Sequence, residues 1–233
     1  MPRETVRASA GNEPGAISFD RPLPERLTRV AENEMDRPIL RESLPAARYT
    51  NLRDVREFDR LGFLDIDWRN YDFRRHLGAA KATCPLITVA KDVEFGEDLE
   101  QTIDQADELA QYCWKVVIVP KARTFSKTLN EIPRRFVLGY SIPTRYGGTQ
   151  IAPERFQRPV HLLGGRPDVQ RMMATLMPVL SVDCNRFTLD ARFGDYFDGE
   201  TFRPHPVGGY SRCIRDSIKN INRLWTDYRT VEL

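Results

Sequence analysis

The chain lacks any apolar run approaching the ~20 residues that a membrane-crossing helix needs. Its opening, MPRETVRASAGNEPG, also lacks the apolar stretch of a secretory signal. A cytoplasmic protein with no membrane partner is the expectation. Cysteine is scarce: Cys84, Cys113, Cys184 and Cys213 are widely spaced and form no C-x-x-C pair. That spacing argues against a zinc knuckle or ribbon, and in a reducing compartment the four read as free thiols. The three histidines, His76, His161 and His205, make no H-x-H or H-E-x-x-H pattern. Neither a metal nor any other cofactor is expected. An excess of one charge is missing too, since 35 Lys and Arg against 33 Asp and Glu leave only +2. Composition alone does not announce a nucleic-acid binder, although local basic clusters are compatible with that balance.

What is present suffices for a core. At 233 residues, 41% hydrophobic and 10% aromatic, the chain reads as globular, with room for one large domain or two small ones. Residues 1–15 are small and polar and read as a flexible lead; residues 16–233 read as a single domain. The text is hard to read up to about residue 60. AISFDRPL and RPILRESL can each hold a short strand, weakened by proline.

From Leu61 the pattern is regular. LGFLDIDW and PLITVAKDV read as strands, with a helix over YDFRRHLGAAKA between them. In DLEQTIDQADELAQYC, Leu99, Ile103, Ala106, Leu109 and Cys113 recur at helical spacing, and Asp98 suits the helix N-terminus. KVVIVPK, FVLGYSIP, PVHLLGG and VLSVDCN follow as strands, with a helix from Asp168 to Met177 before the last of them. A helical run from Phe187 to Tyr196, a Gly/Pro-rich loop from Gly199 to Gly209 and a final helix, YSRCIRDSIKNINRLW, close the order. In that last helix Ile214, Ile218, Ile221 and Trp225 line one face, while Arg212, Arg215, Lys219 and Arg223 lie on others.

Six near-continuous apolar strands alternating with helices or helix-sized connections describe a parallel sheet covered on both faces. Two more strands before residue 60 would bring the total to eight. The expectation is an α/β fold, a (β/α)8 TIM-like barrel that is incomplete or irregular at its N-terminal strands, with an open doubly wound sheet as the alternative. In such a barrel the active site gathers at the C-terminal strand ends. Here those ends read Asp65 and Asp67, Asp92, Lys121, Tyr140 to Thr144, Gly164-Gly165, and Asp183-Cys184-Asn185. Any one of them, taken alone, is also explained as a strand stop entering a loop.

The phrases GYSIPTRYGG, HLLGG and SVDCN, in this order, with the closing CIRDSIKNINRLW, resemble the tRNA-guanine transglycosylase superfamily. The likeness is to its shorter DNA-modifying relatives from phages and genomic islands, and it runs from about Gly62 to Trp225. The resemblance implies a (β/α)8 barrel that exchanges guanine for a 7-deazaguanine in a polynucleotide. It implies Asp183, in SVDCN, as the nucleophile and Asp65 as general acid/base, with Asp67 as its rival because two expected glycines are missing. Asp92 would read the base. Lys121 stands where the tRNA enzymes have glutamine followed by glycines, and Gly139, Tyr140 and Ser141 match the base-meeting backbone loosely. The clustered cysteines and histidine of the tRNA enzymes' zinc site have no counterpart, and the chain ends where those enzymes would append an RNA-binding domain. Both features favour DNA over tRNA as the partner.

Retentive base exchange needs two displacements at the sugar C1′. A carboxylate can form and then release a glycosyl ester, while a second carboxyl group protonates the departing base and later takes a proton from the incoming one. In retaining glycosidases such acids sit ~5 Å apart. An ionised aspartate only accepts hydrogen bonds, so Asp92 suits the donor edge of guanine. Gly164-Gly165, with Arg166 adjacent, can cradle phosphate through backbone N–H groups or simply turn the chain into the next helix. Asn185 borders the nucleophile as a substrate contact. His161 shares a strand face with Leu163 and reads as a core or wall histidine before a catalytic base. The target nucleotide must be extruded from the stack against a basic rim, for which Arg145, Tyr146 and Arg186 are candidates, with Arg134-Arg135 and the basic residues of the last helix. Plain N-glycosidic hydrolysis and a non-catalytic nucleic-acid-binding barrel are the competing readings, and a partner protein or homodimer stays open.

Overall fold

Val116, Val117, Ile118 and Val119 follow one another with at most 1% exposure. A strand apolar on successive residues must be covered on both faces, and this one sits in the middle of a sheet. The computed structural model of the chain describes residues 4–6, 46–51, 62–96, 98–145 and 147–228. Six strands run parallel in sequential order: β3 (Phe63–Asp65), β4 (Ile87–Val89), β5 (Lys115–Ile118), β6 (Val137–Ser141), β7 (Val160–Leu163) and β8 (Val179–Val182). Before them, β2 (Ala46–Asn51) pairs parallel with β3, and β1 (Glu4–Val6) pairs antiparallel with β2.

Helix α1 (Phe73–Thr83) joins β3 to β4, α2 (Asp98–Leu109) joins β4 to β5, and α3 (Pro167–Met173) joins β7 to β8. The other two crossovers carry only short 3-10 turns, at Arg123–Lys127, Leu129–Glu131 and Pro153–Arg155. In a strand order without reversal, crossovers of the usual right hand place every connection on one face. The larger core lies on that face and includes Leu64, Val116, Ile118, Leu138, Leu162 and Val182. Phe63, Ile87, Val89, Val117, Val119 and Val137 form a second, smaller cluster on the opposite face.

That opposite face is concave. Phe63 on β3 stacks on His161 of β7 with ring centroids 5.0 Å apart, although three strands lie between theirs. In a flat sheet four strand spacings separate such residues by roughly 19 Å. The parallel sheet is therefore curled into a half-barrel whose wall strands meet across the inside.

Several expectations move. The strand expected at AISFDRPL and that at RPILRESL lie outside the described residues; the two N-terminal strands that are described fall at Glu4–Val6, within the expected flexible lead, and at Ala46–Asn51. Glu-Thr-Val carries two β-branched residues, which suit a strand. The helical run expected over Phe187 to Tyr196 is instead α4 (Arg186–Asp190), a 3-10 turn and β9 (Asp195–Phe197). Strand β10 (Phe202–Pro204) pairs antiparallel with β9 inside the expected loop. The final helix, α5 (Tyr210–Trp225), buries Cys213, Ser217, Ile221 and Trp225 most deeply, with Ile214 and Ile218 flanking them. Ser217 lies in the seam because its Oγ accepts the Phe197 N–H at 2.9 Å, and the Asn220 side chain donates to the Phe197 carbonyl. No helix among the described residues is long and apolar enough to cross a membrane.

Candidate active site at the C-terminal strand ends

Strand β8 does not keep a simple register with β7. Val160 faces Val179, but His161 faces Ser181, so Leu180 is an extra residue on β8. A bulge of this kind re-aims the side chains beyond it. Ser181 meets His161 on the inner face, where its Oγ lies 2.7 Å from the imidazole Nδ1. Asp183 follows two residues later and is 9% exposed.

The Asp183 carboxylate is held through one oxygen. Its Oδ1 accepts the Gly164 N–H at 3.1 Å and faces the His161 Nε2 at 3.5 Å. Among the described residues no group is recorded against Oδ2. The ends of β7 and β8 are further sewn together by Gln170 on α3, whose amide donates to the carbonyls of Gly164 and Asp183, each at 2.6 Å. The Cys184 thiol donates to the Gly165 carbonyl at 3.4 Å, and burial pushes its pKa up to about 12. A thiol so protonated is a tie, not a nucleophile.

Gly164 and Gly165 both adopt left-handed backbone, with φ of 65° and 82°. A Cβ on Gly165 would stand 2.8 Å from the Ile142 side chain. The Gly164 N–H, expected as part of a phosphate cradle, is already engaged by a carboxylate. The pair therefore turns the chain and anchors Asp183.

Asp65 ends β3 and shares the inner face with Phe63, two residues before it; one Oδ accepts the Ile66 N–H at 2.8 Å. Asp67 lies past the strand in a turn closed by the Asn70 N–H. Asp65, within the strand, thus lies on the face that carries His161 and Asp183, whereas Asp67 lies beyond the strand's end. Because the strands are parallel, Asp65 and Asp183 also stand at the same end of the sheet.

A cleft of about 190 Å³ opens beyond the ends of β3 and β4, lined by Ile66, Trp68, Lys91, Asp92, Glu94, Phe95 and Asp98. Lys121, at the end of β5, pairs with Asp92 at 3.1 Å. Burial raises the Asp92 pKa, the Lys121 ammonium opposes that rise, and Glu94 adds to it. Trp68 and Phe95 line the cleft and are each 62% exposed, which leaves their aromatic faces open to a ligand. Sequence reading found Asp92 and Lys121 but missed these aromatics, which stand in polar turns just after strands.

Not every expected residue joins this rim. Gly139 does lie on the inner face, but the place of its missing Cβ is 2.5 Å from Val119 and 2.8 Å from Val117; its backbone is sealed by packing. Tyr140 points to the helix side, buried edge-on against Phe156, because alternation turns it away from Gly139 and Ser141. Ser141 stays half-buried on the inner side and its N–H donates to Thr149 Oγ1. Asn185 precedes α4 and its carbonyl accepts from Thr188. Arg186 is paired with Asp190 at 2.6 Å, Arg145 is exposed, and Tyr146 lies outside the described residues. Arg134-Arg135 precede β6, at the opposite end of the strands from Asp183, and Arg135 is tied to Asp107. They cannot serve the same rim.

Helix α5 carries a basic stripe instead. Arg212, Arg215, Lys219 and Arg223 are all exposed, and their spacing of three and four residues puts them on one side. Eleven residues of helix extend the stripe over roughly 16 Å. Among the described residues none of the four has a recorded ion-pair partner.

No curated protein matches the chain. The model of a family of unknown function, DUF6610, matches residues 42–226. The chain belongs to that family.

Proposed function

We propose that the chain is a base-exchanging glycosyltransferase on a (β/α)8-type barrel, replacing guanine in DNA with a 7-deazaguanine. The observation that carries this reading is Asp183 itself, a carboxylate at a strand end, anchored through Oδ1, with no group recorded against Oδ2 among the described residues, on the same face and end as Asp65. In the first step Asp183 Oδ2 attacks the sugar C1′, and the C1′–N9 bond breaks with its electron pair leaving on guanine. Asp65, as the acid, supplies the proton that makes guanine a neutral leaving group. The incoming base then gives its N9 proton to the Asp65 carboxylate and attacks C1′, and the ester bond returns its pair to Asp183.

The cleft beside Asp92 supports the same reading. Trp68 and Phe95 offer aromatic faces to an extruded purine, and Asp92 accepts from its donor edge. The α5 stripe offers cations to the phosphates on either side. Incorporation of labelled 7-deazaguanine into DNA tests the proposal. Asp183→Ala and Asp183→Asn are expected to lose at least ~10³-fold in rate, and Asp65→Asn about 10²- to 10⁴-fold. Full incorporation by both Asp183 variants would rule out the mechanism, and guanine release without an acceptor base would replace exchange by hydrolysis.

A further inference from the structure

We infer that His161 is a positioning residue for Asp183, presenting an Nε2–H to Oδ1 while Ser181 fixes the ring from the other side; this rests on the reading of Asp183 as nucleophile. The imidazole is wholly buried, and Ser181 is 6% exposed. A buried ring with a polar group at each nitrogen is either satisfied at both or costs stability. The hydroxyl of Ser181 lies 2.7 Å from Nδ1, and the carboxylate of Asp183 lies 3.5 Å from Nε2. An Nε2 lone pair aimed at a carboxylate would repel it, so the proton belongs on Nε2. Nδ1 is then the acceptor and the Ser181 O–H is the donor. The ring plane is set by Phe63, which stacks on it at 5.0 Å and 23°.

The consequence is a division of labour within one carboxylate. Oδ1 is flanked by two N–H groups, one from Gly164 just past the end of β7 and one from His161 within it. Both interact with the ionised form, and both keep Oδ1 out of reaction. Oδ2 is left as the atom that attacks. The 3.5 Å approach is longer than a formed hydrogen bond, and contacts of this type tighten once the substrate is seated. The bulge at Leu180 is what makes the set possible, since it brings Ser181 rather than Leu180 opposite His161.

Four variants and one spectrum test the inference on the full chain. His161→Phe keeps a ring against Phe63 but has no donor; His161→Gln keeps an N–H near the position of Nε2. Relative to the wild type, His161→Phe is expected to lower kcat about 10- to 100-fold with KM for the DNA unchanged, the range seen when a group that orients a reacting residue is removed. His161→Gln is expected to recover a good part of that loss. In ¹⁵N-histidine spectra the His161 ring should carry its proton on Nε2, with Ser181→Ala shifting the Nδ1 resonance. An unprotonated Nε2, or a His161→Phe variant with unchanged kcat in an enzyme that Asp183→Asn inactivates, overturns the inference. Should Asp183→Asn leave exchange intact, the nucleophile reading fails instead, and the ring spectrum still reports on the contact.

Discussion

At His76 both ring nitrogens are occupied. Nε2 lies 2.7 Å from Thr88 Oγ1, which itself donates to the Leu64 carbonyl, so the ring must donate there. Nδ1 lies 3.2 Å from the Tyr71 hydroxyl, which is therefore the donor to it. A second proton on Nδ1 would force the Tyr71 hydroxyl to turn from donor to acceptor, and burial lowers the ring's pKa from the ordinary 6.5 to about 4. Between those values the unfolded chain binds a proton that the folded chain refuses. Stability should then fall as pH drops from 6.5 toward 4, by up to ~3 kcal/mol in all. Urea unfolding at pH 7.0, 5.5 and 4.5 checks it, with His76→Gln as the reference: the wild type should lose more on acidification than the variant. Neither His76, which follows Arg74-Arg75, nor His161, between Val160 and Leu162, belongs to a recognisable motif. Nothing local to either could tell that one braces a helix against β4 and the other faces a carboxylate, because the partners Thr88 and Ser181 arrive from other strands.

At the scale of elements, the six parallel strands were legible because being covered on both faces leaves a run of apolar residues, as in Val116 to Val119. The β9–β10 hairpin was not. Asp195-Tyr196-Phe197 and Phe202-Arg203-Pro204 are three-residue strands set among glycine and proline, and only pairing and the docking of Ser217 define them. The rim was partly legible: Asp183 stands out at a strand end, whereas the inward turn of Ser181 depends on a bulge that alternation does not announce. The turn at Gly164-Gly165 gives an element-scale prediction. Gly164→Ala faces only the left-handed backbone, a cost of about 1–2 kcal/mol. Gly165→Ala meets Ile142 as well, and overpacking adds about 1–3 kcal/mol. Chemical denaturation should rank Gly165→Ala as the more damaging of the two.

For the whole molecule, a net charge of +2 says little about how the charges are arranged. The acids of the cleft, Asp92, Glu94 and Asp98, lie beyond β4, while the four cations of α5 form an exposed stripe of their own. If that stripe meets phosphates, affinity for single-stranded DNA depends on salt, with a slope of about −0.7 per phosphate contacted. Replacing Arg212, Arg215, Lys219 and Arg223 together by alanine should flatten the slope of log K against log salt by about 3 and leave the unfolding free energy within ~1 kcal/mol. An unchanged slope would remove α5 from the interface. The curl of the sheet gathers the strand ends of β3 through β8 on one rim, so Asp65, Asp183 and the cleft belong to one end of the molecule.

The central claim is that Asp183 becomes covalently attached to the sugar, and the mass of the peptide holding Asp183 reads that attachment directly. The full chain would be incubated with a guanine-containing oligonucleotide in the absence of an acceptor base, then quenched in denaturant and digested. The account predicts a one-to-one adduct on the peptide holding Asp183, one guanine released per adduct, loss of the adduct when a 7-deazaguanine is added, and none in Asp183→Asn. Base exchange that proceeds with no adduct, or with an adduct on another residue, would contradict it.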